Sequence, residues 1–142
     1  MSKASENYTN RYSTFTNMPF PVDKIYIEET EKELDVIFPP NFKTKMEKEN
    51  GGEIEVQGEY FDLHPFFDKS DKKRINRTCN HIALETKNAK EWDNFPSNGI
   101  AIASDGCGNL LLLIHNGDKK LQDTIHFWDH ETGEITPVAN SI

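Results

Sequence analysis

Two adjacent prolines, Pro39 and Pro40, constrain this chain more than any other feature. Proline lacks a backbone donor and biases the residue before it away from the helical basin, so no helix runs through Phe38-Pro39-Pro40. Upstream, Ile27, Glu31, Leu34 and Phe38 recur at helical spacing and predict an amphipathic helix that docks its apolar stripe. Asp23 is placed to cap it, and the glutamates early in it favour the helix dipole. Downstream, Phe42 and Met46 lie four apart and give a second, short helix its buried stripe. Asn50-Gly51-Gly52 then stops that helix with residues that tolerate positive φ. Residues 27–54 therefore read as helix, break, short helix, stop and entry into a strand.

Beyond the stop, Ile54 and Val56 alternate with Glu53, Glu55 and Gln57, the pattern of a strand with one wet face. Tyr60-Phe61-Asp62-Leu63 reads as its neighbour, and Glu53, Glu55 and Glu59 are expected to share one acidic surface. A helix is expected from a cap at Asp68 or Ser70 to about Lys87, on the spacing of Ile75, Cys79 and Ile82. Its polar face would carry Lys69, Lys72, Lys73, Arg74 and Arg77. With no aromatic nearby to stack a base, pairing with the acidic first half is favoured over RNA contact. Residues 88–98 read as a loop anchored by Trp92 and Phe95. Ile100 and Ile102 open a strand that turns at Asp105-Gly106-Cys107-Gly108-Asn109. The continuous apolar run Leu110 to Ile114 suits a strand buried on both faces. Asn116-Gly117-Asp118 is a hairpin signal, and residues 124–129 and 134–138 form the last strands about Glu131-Thr132-Gly133.

A length of 142 residues predicts a single domain, here taken as 22–142 behind a polar extension, 1–21. The first residues of that extension are expected to be mobile, with Phe15, Met18, Pro19 and Phe20 packing onto the domain. The net charge of −8 is concentrated: residues 23–60 carry five basic and eleven acidic side chains. Such a segment disfavours direct contact with a nucleic-acid backbone and suits a basic protein surface. No run of about 18 apolar residues offers a membrane span, and the polar N-terminus lacks a secretory apolar segment, so a cytoplasmic location is expected. Cys79 and Cys107 fit no metal or redox spacing and are expected to be reduced and buried.

Catalytic patterns are missing. No Ser-His-Asp, Cys-His or paired-carboxylate arrangement can be assembled, and the 105–109 turn lacks the Lys-Ser/Thr ending and following helix of a phosphate-binding loop. His126 and His130 are four apart, but on a strand they lie about 13 Å apart on one face, too far for joint ligation. Trp128 would share that face with both, which reads as a packed or partner-contacting surface. Neither catalytic residue, cofactor nor metal is expected. Glu31 admits two readings, a carboxylate at the stripe's edge bonded to a backbone amide or an arginine, or a partner contact.

Three blocks in order carry a family resemblance. The first is Ile27, Glu31, Leu34, Phe38-Pro39, Phe42 and Asn50-Gly51-Gly52. The second is the strand, Asp-Gly-x-Gly turn and returning strand of residues 100–114. The third is the last hairpin, residues 125–142, with Asp129-His130-Glu131. Together they resemble the SUKH superfamily of Smi/Knr-type domains over roughly 22–142. The resemblance implies an α+β fold, one mostly antiparallel sheet with helices packed mainly on one side. Many members continue after the last hairpin into a longer C-terminal helix, which is not expected here within residues 1–142. Bacterial members are mostly regarded as immunity proteins that neutralise a polymorphic toxin, often a nuclease or deaminase, and fungal members as regulatory scaffolds. The resemblance thus implies a non-enzymatic toxin-binding protein, monomeric or weakly dimeric, with an intracellular adaptor as the alternative. The surface expected to meet a basic toxin combines Glu31, Glu53, Glu55, Asp105, Trp128 and Asp129.

Overall fold

Asp23 starts the first helix. In the computed structural model, which describes residues 19–142, its carboxylate accepts the Ile25 N–H at 3.1 Å and caps α1, Lys24–Leu34. Asp35 ends that helix in the left-handed region, φ 57°, returning its N–H to the Glu31 and Lys32 carbonyls. Pro40 is the first residue of α2, Pro40–Lys48, where a missing donor and fixed φ suit the helix start. The expectations for Phe15, Met18 and the first residues of the chain fall outside the described residues.

Asn50 makes the following stop specific. Its buried side chain donates to the Phe66 carbonyl at 2.9 Å and accepts the Phe66 N–H at 2.8 Å, an amide standing in for a strand neighbour. Gly51 and Gly52 then hold φ of 116° and 96°, a region that side chains avoid. The chain leaves them as β1, Gly52–Val56, and returns as β2, Glu59–Leu63. After α3, Lys72–Arg77, and α4, Ile82–Ala89, come β3, Gly99–Ser104, β4, Leu110–Ile114, β5, Ile125–Trp128, and β6, Ile135–Ala139.

The six strands form one sheet in chain order, every neighbouring pair antiparallel. This is the α+β domain expected. Ile27, Phe42, Met46 and Ile82 of the helices, with Phe38 and Phe66, share a core with Phe61, Leu63, Ile102, Leu111, Leu113 and Ile125 of one sheet face. The Phe38 ring stacks on Phe42 and meets Phe66 edge-on. On the other face, Ala89 and Phe95 cover Ala101, Leu112 and Trp128. The centre of β4 is therefore buried on both sides, as its apolar run predicts.

A bulge lets α4 lie on β3. The register slips between Ala101 and Ala103, and the groups freed there find side-chain and strand partners. Thr86 Oγ accepts the Ala101 N–H at 2.9 Å, His64 Nδ1 lies 3.2 Å from the Ala101 carbonyl, and the His64 N–H donates to Ile102. A ladder disruption inside a core demands such satisfaction.

Three expectations are corrected. The single helix to Lys87 is two: α3, capped by Asp71 rather than Asp68 or Ser70, and α4, capped by His81 Nδ1, which accepts the Leu84 N–H. Ile75 is exposed, so its spacing to Cys79 and Ile82 is not a buried stripe. Asn116-Gly117-Asp118 does not close a tight hairpin. Residues 115–124 instead reach the break between α1 and α2, where Ile37 donates to Lys119 and accepts from Leu121. Both cysteines are free and exposed rather than buried, Cys79 between α3 and α4 and Cys107 on the 105–109 turn.

Candidate functional site

A two-residue turn decides what β1 and β2 present to solvent. Gln57 and Gly58 hold φ of 52° and 82°, the primed turn whose twist suits a hairpin. Its closing pair is Val56 with Glu59, which fixes Glu55 opposite Tyr60 and Glu53 opposite Asp62. These four side chains alternate away from Ile54, Val56 and Phe61, which pack towards the core. The outer face of the hairpin is thus three carboxylates about a tyrosine that is 61% exposed. Among the described residues none of the three carboxylates has an ion-pair partner. Like charges directly opposite one another across a ladder weaken it. Glu59 leaves this group: register turns it to the opposite face, contrary to the shared surface expected for it.

The sheet curls until its ends meet. Phe61 on β2 touches Phe127 on β5 with centroids 6.2 Å apart, although two strands separate them. Gln57 Nε2 donates to the Val138 carbonyl at 3.1 Å, joining the first hairpin to β6. Val138 is the residue that the β5–β6 register skips, so a side chain can reach its carbonyl. Beside this tie lies a cleft of about 500 Å³ lined by Val56, Phe61, Phe127 and Val138, with Glu59, Asp105, Asn109, Gln57 and Thr136.

The six residues expected at a partner surface do not form one patch. Glu53 and Glu55 stand together on β1. Asp105 lines the cleft, where its Oδ1 also accepts the Cys107 and Asn109 N–H groups and fixes the turn. Asp129 likewise accepts the Glu131 N–H at 2.9 Å within the β5–β6 turn. Glu31 belongs to the helical layer, accepting from the Phe38 N–H and Lys43. Trp128, expected with His126 and His130 on a packed or partner-contacting face, is 1% exposed and packed. It lies under Phe95 and Trp92 with centroids 5.2 and 6.2 Å away, and its indole donates to the Asn94 carbonyl. His130 lies past the end of β5, held by Asn109 Oδ1 at 2.8 Å from its Nδ1. Its ring occupies the space where Gly108 has no Cβ: an added one would meet it at 2.9 Å.

Tyr60 and Asp62 are the surface residues missed in the sequence. The signal was there, since a two-residue loop between Val56 and Glu59 implies both cross-strand pairs. The basic cluster is also resolved. Lys69 pairs with Glu29 at 3.0 Å, Arg74 with Asp71 at 2.6 Å, and Arg74 and Arg77 stack on Phe20 at 4.3 and 4.6 Å from its centroid. The aromatic missing locally comes from before α1. Among the described residues no cluster of His, Cys, Asp and Glu is arranged to hold a metal, and no helix is long and apolar enough to cross a membrane.

Comparison with curated proteins finds no match. The sequence model of the SMI1/KNR4 family (SUKH-1) matches residues 21–142, spanning both helical segments, the Asn-Gly-Gly stop and all six strands. The chain belongs to the SMI1/KNR4 family, SUKH-1.

Proposed function

We propose that this protein is a non-enzymatic immunity protein of the cytoplasm, which binds a cognate toxin and neutralises it by covering its active site or substrate groove. The family is generally of the toxin-immunity type. The observation that carries the reading is the outer face of β1–β2, where Glu53 and Asp62 oppose each other without a cation among the described residues. A fold that tolerates facing carboxylates gains nothing from them in isolation. A basic protein surface gives them a partner and speeds encounter with it. Toxins that act on nucleic acids carry such surfaces, because their substrates are polyanions.

The experiment is co-expression with the C-terminal domain of the neighbouring gene's product, scoring growth and then affinity. Restored growth with nanomolar binding is expected, weakened by Glu53→Lys with Glu55→Lys. A neighbour that is harmless, or that kills regardless, overturns the reading in favour of an adaptor.

A further inference from the structure

The cleft where the curled sheet closes sets an apolar floor beside acidic side chains. Its floor is apolar and partly aromatic: Phe61, Phe127, Val56 and Val138. Its rim carries two carboxylates, Glu59 from the start of β2 and Asp105 from the β3–β4 turn, and among the described residues neither lysine, arginine nor histidine lines it. Phe127, Val56 and Val138 remain partly open to solvent. Asp105 already accepts the Cys107 and Asn109 N–H groups and, at 2.9 Å, the Asn109 side-chain amide, all neutral donors. Apolar surface left open beneath two carboxylates therefore still suits a group with a hydrocarbon stem and a cationic end.

We infer that this cleft receives one arginine side chain from the protein partner, its methylenes against Phe127, Val56 and Val138 and its guanidinium between Glu59 and Asp105. The inference rests on the reading that the partner is a basic protein. Arginine fits better than a compact ammonium, because its planar head stacks on rings and presents several donors to two carboxylates at once. The cleft is open rather than enclosed, whereas sites for free small ligands bury most of the ligand. A side chain anchored on a protein surface needs no such enclosure, and arginine is a frequent anchor of interfaces.

The test uses the full chain with L-argininamide as probe, read by NMR of the phenylalanine ring resonances. Saturable shifts of Phe61 and Phe127 are expected, absent with norvalinamide, which shares the stem and lacks the guanidinium. Glu59→Gln should weaken binding at least threefold, while Glu53→Gln, equal in charge but on the other face, should leave it unchanged. Absent ring shifts, or equal effects of the two variants, overturn the inference. The outcomes separate it from the immunity reading. Growth rescue that survives Glu59→Lys undiminished removes the cleft and leaves immunity standing, and argininamide binding without any rescuing toxin does the reverse.

Discussion

Glu31 closes the break between the first two helices by accepting the N–H of Phe38 at 2.9 Å. Phe38 is fully buried and precedes a proline, so its amide continues no helix and faces no water. The same oxygen receives Lys43 from α2 at 3.0 Å, and the carboxylate side chain is only 14% exposed. One residue thus satisfies the donor stranded by Pro39 and ties α1 to α2. Glu31→Ala should destabilise the fold by about 1–3 kcal/mol, the cost of an orphaned buried donor. Glu31→Gln keeps an acceptor and should lose about 1 kcal/mol or less. Denaturant melts of both variants check this; equal losses would show that the ion pair, not the amide, matters.

The bulge at Ala101–Ala103 makes a second prediction. Thr86 is wholly buried and its hydroxyl is the acceptor for Ala101 N–H. Thr86→Val preserves shape and removes that acceptor, so a loss of about 1–3 kcal/mol is expected. Thr86→Ser keeps the hydroxyl and gives up one methyl, about 1 kcal/mol. Calorimetric melts should therefore rank Ser above Val. The reverse order would mean that packing, rather than the bond, secures α4 on β3.

Two histidines give stability a pH dependence. Burial pushes the His64 pKa below its ordinary value of 6.5, against the Ala101 carbonyl and the Glu85 and Asp62 charges, which raise it. Burial also lowers His81, opposed by Glu33 and Glu85 and helped by Lys69. Folded pKa values below the unfolded value mean that the unfolded chain takes up protons first. Their contribution is therefore complete above pH 6.5 and is lost as pH falls through the folded values. For His81 the mechanism is visible: Nδ1 caps α4 only while unprotonated. The melting temperature should drop from pH 7 to pH 5. His81→Asn, which retains a capping acceptor, should flatten part of that slope, and an unchanged slope would remove His81 from the account.

Much of this architecture is legible in the sequence, for local reasons. Pro39-Pro40, Asn50-Gly51-Gly52 and the run Leu110 to Ile114 each dictate their own backbone or burial, and the structure follows them. The failures depend on residues distant in sequence. Ile75, Cys79 and Ile82 have helical spacing, yet Ile82 donates to the Pro65 carbonyl and His81 starts a new helix. Trp128 alternates onto an outer face, but residues 89–95 fold over it. Phe20 reaches Arg74 and Arg77 across more than 50 positions and turns a basic helix face into an internal contact. At the candidate site, Glu53 and Glu55 were readable from alternation. Their company of Tyr60 and Asp62, and the turning of Glu59 into the cleft, require the register set by Gln57-Gly58.

That register also supplies the last prediction. Glu53 and Asp62 face each other on adjacent strands, so removing one charge relieves repulsion. Asp62→Asn should leave the fold unchanged or stabilise it by about 0.2–1 kcal/mol. The effect on binding should have the opposite sign, because exposed charges of this kind act mainly on the encounter rate. Association with a basic partner should slow severalfold at low salt and converge with that of the parent protein as ionic strength rises and screening shortens the field. Stopped-flow association across a salt series reads this directly. A variant more stable but slower to bind would show that the facing carboxylates serve recognition at the expense of the hairpin. Unchanged association rates would return Glu53 and Asp62 to the role of solubilising surface.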